Sequence, residues 1–139
     1  MILIHELCHV YSPGTVFEKK ALDHVDLKIE DGEILGIIGH TGSGKSTLIQ
    51  HLNGLLKPTE GAVYFNGEDI HDKDFSMKKL RSKIGLVFQY PEHQLFESTV
   101  IEDVQFGPKN MGLDPLEMEK RSFEAMKQVG MGEQYLDVY

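Results

Sequence analysis

The run GHTGSGKST, from Gly39 to Thr47, carries the residues of this sequence best suited to holding a phosphate group. Its spacing matches G-x-x-x-x-G-K-[ST], in which glycines let successive backbone N–H groups point at one anion. In such a loop Lys45 reaches the β- and γ-phosphates, Ser46 ligates Mg²⁺, and Thr47 contacts a further phosphate oxygen. The sequence therefore predicts a nucleotide site at Gly39, His40, Thr41, Gly42, Ser43, Gly44, Lys45, Ser46 and Thr47.

The elements on either side of this loop fit that chemistry. The preceding run EILGIIG predicts a strand, and Lys45 to Leu55 predicts a helix that is closed by Asn53-Gly54. The first N–H groups of that helix and its positive dipole end face the same phosphates. Strand, loop and helix in this order therefore favour phosphate binding over a flexible glycine turn.

The rest of the chain predicts an α/β fold in which strands come first and helices later. ILIHELCHVY, HVDLKI and GAVYFNGEDI predict strands, the last of them ending in an Asn-Gly turn, and IGLVFQ predicts a buried strand. FSMKKLRSK predicts a short helix. From Val100 onward the pattern is helical, with Asp114-Pro115 as a start signal and Gly130 as a stop signal.

Composition narrows the class of protein. The 139 residues suggest one ordinary domain, and their formal net charge of −8 argues against broad nucleic-acid binding. Cys8 is the single cysteine, which is typical of a reducing cytoplasm. The sequence has no apolar run of the roughly 18 residues that a membrane span needs, and its start does not resemble a signal peptide.

Two groups of metal-capable residues receive ordinary structural interpretations. On a regular strand His5 and His9 face one way and Cys8 the other, so these three side chains are not expected to converge. The acidic run from Asp69 to Asp74 is spaced like the start of a calcium loop, but the required Gly and terminal Glu do not follow. We therefore expect a solvated acidic turn.

Tyr11, the loop and the run GLVFQYPEHQLFESTVIEDVQFGPKNMGL together resemble an ATP-binding cassette ATPase. More narrowly, GHTGSGKST and YPEHQLFESTVIEDVQFGPKN resemble the ATPase subunits of energy-coupling factor transporters, the CbiO/EcfA group. His40-Thr41 resembles the second of the two ATPase types in that group. The resemblance covers essentially the whole chain.

This resemblance implies roles for residues outside the loop. Tyr11 matches the aromatic residue that stacks on adenine, and Gln89 matches the glutamine that contacts Mg²⁺ and the region of the attacking water. Lys45 and Gln89 are then the catalytic residues present, Ser46 and Gln89 the Mg²⁺ ligands, and ATP the nucleotide. PEHQLF, from Pro91 to Phe96, matches the segment that meets a membrane partner, although its Leu and Phe could equally be core residues.

The resemblance also implies the architecture, which is the P-loop NTPase core of the ABC ATPase type. An antiparallel β subdomain and the core are expected within about residues 1–95, and the start of a helical subdomain within about residues 96–139. No SGG signature and no apolar strand ending in Asp-Glu occurs in residues 1–139, so we expect a cassette truncated before the signature segment. We therefore expect nucleotide binding with negligible turnover, and we expect EILGIIG and IGLVFQ to lack strand partners and to favour association.

The function implied is that of an ATPase subunit that energises a membrane importer for vitamins or for cobalt or nickel ions. It would act as a homo- or heterodimer with a second ATPase subunit, peripheral to the cytoplasmic face of the membrane, and without nucleic acid. The alternative is a non-hydrolysing nucleotide-binding module or remnant. A small-molecule kinase is disfavoured because it needs an acceptor site and a lid, often rich in arginine, and Arg81 and Arg121 are the only arginines.

Overall fold

The computed structural model describes residues 1–132 and 134 and divides the chain into two units, Met1–Leu86 and Val87–Tyr139. The first unit contains a β-sheet, the phosphate loop and two helices, whereas the second is helical. Glu133 and residues 135–139, which end the range expected for the helical subdomain, lie outside the described residues.

The sheet of the first unit has four antiparallel strands in the order β2-β1-β3-β4. Its strands are β1 (Ile2–Tyr11), β2 (Lys19–Ile29), β3 (Glu60–Phe65) and β4 (Glu68–Asp69). Asn66 and Gly67 join β3 to β4 with φ of 51° and 87°. Two positive φ values in a two-residue hairpin are what an Asn-Gly turn favours. The N-terminal antiparallel subdomain is therefore confirmed.

Strand β1 is not regular, because its pairing with β2 shifts register between Ile4 and Val10. Bulges of this kind break the alternation of faces along a strand. Leu7, Cys8 and His9 are consequently all buried, although they are consecutive. Burial along this part of β1 therefore does not alternate, while the ligand atoms near Cys8 are those of His24 and Glu60 rather than those of His5 or His9.

The core of the first unit forms where two helices bring leucines to the sheet. Helix α1 spans Lys45–Leu52 and contributes Leu48, and helix α2 spans Met77–Arg81 and contributes Leu80. Both leucines belong to one buried cluster with residues of the four-stranded sheet region. Its members are Ile4, Leu7, Leu22, Leu48, Val63, Ile70 and Leu80. Helix α1 ends at Leu52, three residues before the predicted Leu55.

The predicted strands EILGIIG and IGLVFQ do not form in the structure. Residues 33–39 and 84–89 form no strand within the described part of the chain. Ile34, Ile38 and Val87 are 99%, 96% and 80% exposed. A strand exists only when its backbone N–H and C=O groups pair with a neighbouring strand, and an apolar sequence alone does not supply one.

The second unit confirms the helices predicted after Val100. A 3₁₀ turn at Pro91–Gln94 precedes α3 (Val100–Met111) and α4 (Pro115–Gln128). Thr99 caps α3 by accepting the N–H of Glu102, and Asp114 caps α4 by accepting the N–H groups of Leu116 and Glu117. None of the described helices is long and apolar enough to cross a membrane.

Candidate phosphate-binding site

The loop between residues 39 and 45 requires glycine at two positions for conformational reasons. Gly42 and Gly44 have φ of 82° and 92°, in the left-handed region that side chains disfavour. A Cβ added at Gly44 would also lie 2.5 Å from the carbonyl oxygen of Ala21 on β2. The last glycine of the motif therefore lets the loop pass closely over the sheet before α1 begins.

Lys45 folds back over this loop. Its Nζ donates hydrogen bonds to the carbonyl oxygens of Gly39 and His40, at 2.8 and 2.9 Å, and lies 3.5 Å from Ser43 Oγ. His40 Nδ1 lies 2.9 Å from the carbonyl oxygen of Thr41 within the same loop. The ammonium group is thus fixed at the mouth of the loop, where it would meet an anionic ligand.

The N-terminus of α1 has groups suited to the same anion. Gly44 is its N-cap, and within the described residues no side chain caps the helix and no acidic residue stands in its first turn. Its first N–H groups and dipole therefore favour a negative ligand without competition from a carboxylate. Ser46 is exposed in this turn, where its hydroxyl could ligate Mg²⁺ beside a phosphate.

Tyr11 and Thr47, which the sequence assigned to base and phosphate, lie together in the structure. The phenol oxygen of Tyr11 is 3.2 Å from Thr47 Oγ1, at hydrogen-bonding distance. Thr47 is buried, whereas Tyr11 at the end of β1 is 39% exposed. The aromatic residue therefore stands beside the helix that follows the loop, with part of its surface accessible.

Two histidines that sequence reasoning did not assign to the site pack next to Tyr11. The ring centroids of His9 and Tyr11 are 4.6 Å apart, and those of His9 and His51 are 4.7 Å apart, both edge to face. His51 Nδ1 lies 2.7 Å from the carbonyl oxygen of Thr47. Spacing could have revealed this group, since His9 stands two residues before Tyr11 on a strand and His51 four after Thr47 on a helix.

Burial affects the charge of the histidines in this region. Burial lowers the pKa of His51 below its ordinary value, while the backbone hydrogen bond with Thr47 acts in the opposite direction. Burial likewise lowers the pKa of His71, against the attraction of Asp69. His51 is therefore neutral near pH 7, and its Nδ1 donates to the Thr47 carbonyl.

Gln89 and the segment from Pro91 to Phe96 belong to the second unit. Gln89 is exposed and is separated from the 3₁₀ turn by Tyr90. Leu95 and Phe96 are exposed rather than buried, and the Phe96 ring contacts Phe106 of α3 edge to face at 4.7 Å. Partly exposed apolar side chains clustered in this way are typical of contact surfaces.

A different set of metal-capable side chains meets on the sheet. Ligand atoms of Cys8, His24 and Glu60 lie within 4.8 Å of one another. His24 Nδ1 is 2.6 Å from Asp23 Oδ1, and the His24 N–H donates to Cys8 Sγ at 3.2 Å. These contacts, together with the pairing of Cys8 opposite Glu60 between β1 and β3, account for the grouping without an ion.

Comparison with known proteins identifies a family and close relatives. A family profile described as ABC transporter matches residues 22–138. The ATP-binding protein EcfA2 of an energy-coupling factor transporter from Clostridium acetobutylicum is 58% identical over 130 residues, which cover 94% of this chain and 46% of the relative. The protein of the same name from Bacillus licheniformis is 48% identical over 139 residues, covering 98% and 48%. The chain spans about half the length of these curated relatives.

Solved structures show the same similarity. The chain matches CbiO1 from Clostridium perfringens, described as part of the ABC transporter complex cbiONQ, with a TM-score of 0.77 and 41% identity. That match covers 99% of this chain and 53% of the other. A dimeric bacterial ABC transporter cassette, MJ0796, matches with a TM-score of 0.82 and 33% identity, covering 98% and 60%.

Proposed function

The chain belongs to the ABC transporter family, and from this premise we propose that it binds MgATP as the N-terminal part of an energy-coupling factor ATPase subunit. The proposal places the β subdomain and P-loop core in about residues 1–95 and the start of the helical subdomain in about residues 96–139. The similarity to EcfA2 proteins supports the transporter class.

The observation that carries this proposal is the geometry of the loop. The Lys45 ammonium is held by two loop carbonyls, and α1, which begins at this lysine, has no side-chain cap and no acidic residue in its first turn. A triphosphate brings the negative charge that these groups need. Gly39, His40, Thr41, Gly42, Ser43, Gly44, Lys45, Ser46 and Thr47 hold the phosphates. Ser46 and Gln89 ligate Mg²⁺, and Tyr11 contacts the base.

The assembly follows from the kind of transporter. The chain pairs with a second ATPase subunit, and the exposed residues from Pro91 to Phe96 contact a membrane subunit. That arrangement places it peripherally on the cytoplasmic face of the membrane, where it energises import of vitamins or of cobalt or nickel ions. The dimeric MJ0796 cassette and the CbiO1 protein of a cbiONQ complex support this arrangement by similarity.

Residues 1–139 on their own are expected to bind ATP with negligible hydrolysis. Phosphoryl transfer depends on groups that position the attacking water and stabilise the charged transition state. The printed sequence contains Lys45 and Gln89 for this task but no SGG signature and no apolar run ending in Asp-Glu. We therefore expect the unaltered chain and Lys45→Ala to show the same negligible Mg²⁺-dependent phosphate release. Robust release by the unaltered chain that is lost in Lys45→Ala would contradict this expectation.

The direct experiment measures binding of a fluorescent ATP analogue to the unaltered chain and to Lys45→Ala. We expect Lys45→Ala to weaken binding by about tenfold or more, because it removes a charge-assisted contact to phosphate. Lys83→Ala is the matched control, since Lys83 is exposed and lies outside the loop. Equal affinities for all three proteins would refute the proposed site.

A further inference from the structure

A row of three aromatic rings starts and ends at Thr47. It runs from His51 on α1 through His9 on β1 to Tyr11, with centroid separations of 4.7 and 4.6 Å and interplanar angles of 73° and 79°. His51 binds the Thr47 carbonyl, and the Tyr11 hydroxyl binds the Thr47 side chain. The row therefore ties the last residue of the phosphate motif to the tyrosine at the end of β1.

The two histidines are buried, and each has a ring nitrogen without a hydrogen-bond partner among the described residues. His51 is fully buried and His9 nearly so. His9 Nδ1 and His51 Nε2 are buried without a hydrogen-bond partner among the described residues. The contacts of these rings are therefore mainly with each other and with Tyr11, edge to face.

We propose that His9 and His51 are positioning residues that hold the Tyr11 ring in place for the base of the bound nucleotide. This inference rests on the proposed function and deepens it by assigning residues that act on the base rather than on the phosphates. A ring fixed before binding loses less conformational freedom when the base arrives. Without these histidines the partly exposed Tyr11 ring would be held only at its tip, by the hydrogen bond between its hydroxyl and Thr47.

The proposal separates two classes of ligand. Inorganic triphosphate reaches only the loop, Lys45 and the start of α1, whereas ATP also contacts Tyr11. The ratio of the two dissociation constants, Kd for triphosphate over Kd for ATP, therefore measures the base contact alone. A purely structural role of the histidines would change both constants together and leave the ratio unaltered.

The test compares His9→Leu, which removes the ring, with His9→Phe, which keeps one. Both are measured with Mg²⁺ and either ATP or inorganic triphosphate. We expect His9→Leu to lower the ratio roughly 2- to 10-fold, the range of an aromatic pair, with triphosphate affinity retained. His9→Phe should restore the ratio. Equal loss of both ligands in His9→Leu, an unchanged ratio, or a His9→Phe ratio as low as that of His9→Leu would each overturn the proposal.

Lys45→Ala distinguishes this proposal from the one on which it rests. If that substitution weakens neither ligand, the phosphate site itself is refuted. If it weakens both while His9→Leu leaves the ratio unchanged, only the positioning role fails.

A measurement on the unaltered chain applies even if the substitutions at His9 unfold the protein. Protonating His51 would place a charge among packed rings. His51 is faced by His9 from β1, by His71 after β4 and by Lys57 after α1, and Asp69 faces His71 in turn. We expect the ratio to fall as the pH is lowered from about 7.5 to about 5.5. A ratio that stays constant over this range would count against the proposal.

Discussion

Strand β1 and the segment at residues 33–39 are similarly rich in Ile, Leu and Val, yet β1 and its partner β3 differ from that segment in the structure. Ile4 and Val63 of the two strands are almost completely buried, whereas Ile34 and Ile38 of the segment are almost completely exposed. The strands exchange backbone hydrogen bonds, and the segment pairs with no strand among the described residues.

The difference shows what decides whether an apolar run becomes a strand. Each strand of the sheet joins a neighbour through an antiparallel pairing, and the hairpins β1-β2 and β3-β4 need only short turns. A strand of a parallel core sheet needs a partner that a long crossover delivers. The hairpin pairings and the pairing of β1 with β3, which lies far away in sequence, all form within this chain, while residues 33–39 keep an apolar sequence without a ladder among the described residues.

The largest effect should come from truncating a buried side chain of the paired region. Leu7 is 0% exposed in the core cluster, so Leu7→Ala is expected to lower the free energy of unfolding by about 2–5 kcal/mol. Ile34→Ala, the matched change in the unpaired segment, should alter it by less than about 0.5 kcal/mol. Urea unfolding followed by circular dichroism measures both. Similar losses would mean that residues 33–39 are packed in solution.

A second prediction sets two glycines against each other. Gly44 combines a positive φ with a close approach to Ala21, so Gly44→Ala should cost about 1–3 kcal/mol and weaken ATP binding. Gly36 lies in the unpaired segment, where an added Cβ meets nothing within 4 Å, and Gly36→Ala should be nearly neutral. Thermal unfolding and the fluorescent nucleotide assay measure the two effects. A neutral Gly44→Ala would show that the loop does not pass over β2 as closely as described.

The phosphate loop and the caps were predictable from sequence because local chemistry determines them. Gly44 and Lys45 occupy fixed places in a motif, and Asp114 caps α4 as its position before Pro115 indicates. The burial of His9 was not predictable from alternation, because bulges in β1 change which residues face the core. The absence of strand pairing at residues 33–39 could not be predicted from the local sequence either, because pairing depends on a partner that is distant in sequence.

The third prediction uses pH to weaken only the packed region. Burial lowers the pKa of His51 and of His71, so the unfolded chain binds protons at a pH where the folded chain does not. Stability is therefore complete above the unfolded histidine pKa of about 6.5 and falls as the pH drops below it, towards the folded values. Urea unfolding between about pH 7.5 and about pH 5.5 measures this slope.

The dependence of stability on pH is tested with His51→Gln, and His93→Gln is the matched control. His51→Gln should flatten the slope, because it removes one buried group that resists protonation. His93 is exposed in the second unit and serves as the control. Asp26 does not interfere, because the Glu6 N–H lowers the pKa of its carboxyl and moves its titration below the range measured. An unaltered slope in His51→Gln would show that this ring is not the group being protonated.

The smallest effect on stability, and the most direct test of the unpaired segment, is expected from Ile38→Lys. Ile38 is almost wholly exposed, so the substitution should change the free energy of unfolding by less than about 0.5 kcal/mol. It should nevertheless reduce concentration-dependent association, because a charge on an unpaired apolar segment opposes strand pairing between chains. Sedimentation velocity at increasing protein concentration measures this, with Gln128→Lys on α4 as a control for the added charge. If both lysine variants associate as the unaltered chain does, residues 33–39 are not the surface through which chains meet. If Ile38→Lys alone remains monomeric, the exposed apolar segment is the surface through which chains associate, as expected of an unpaired strand.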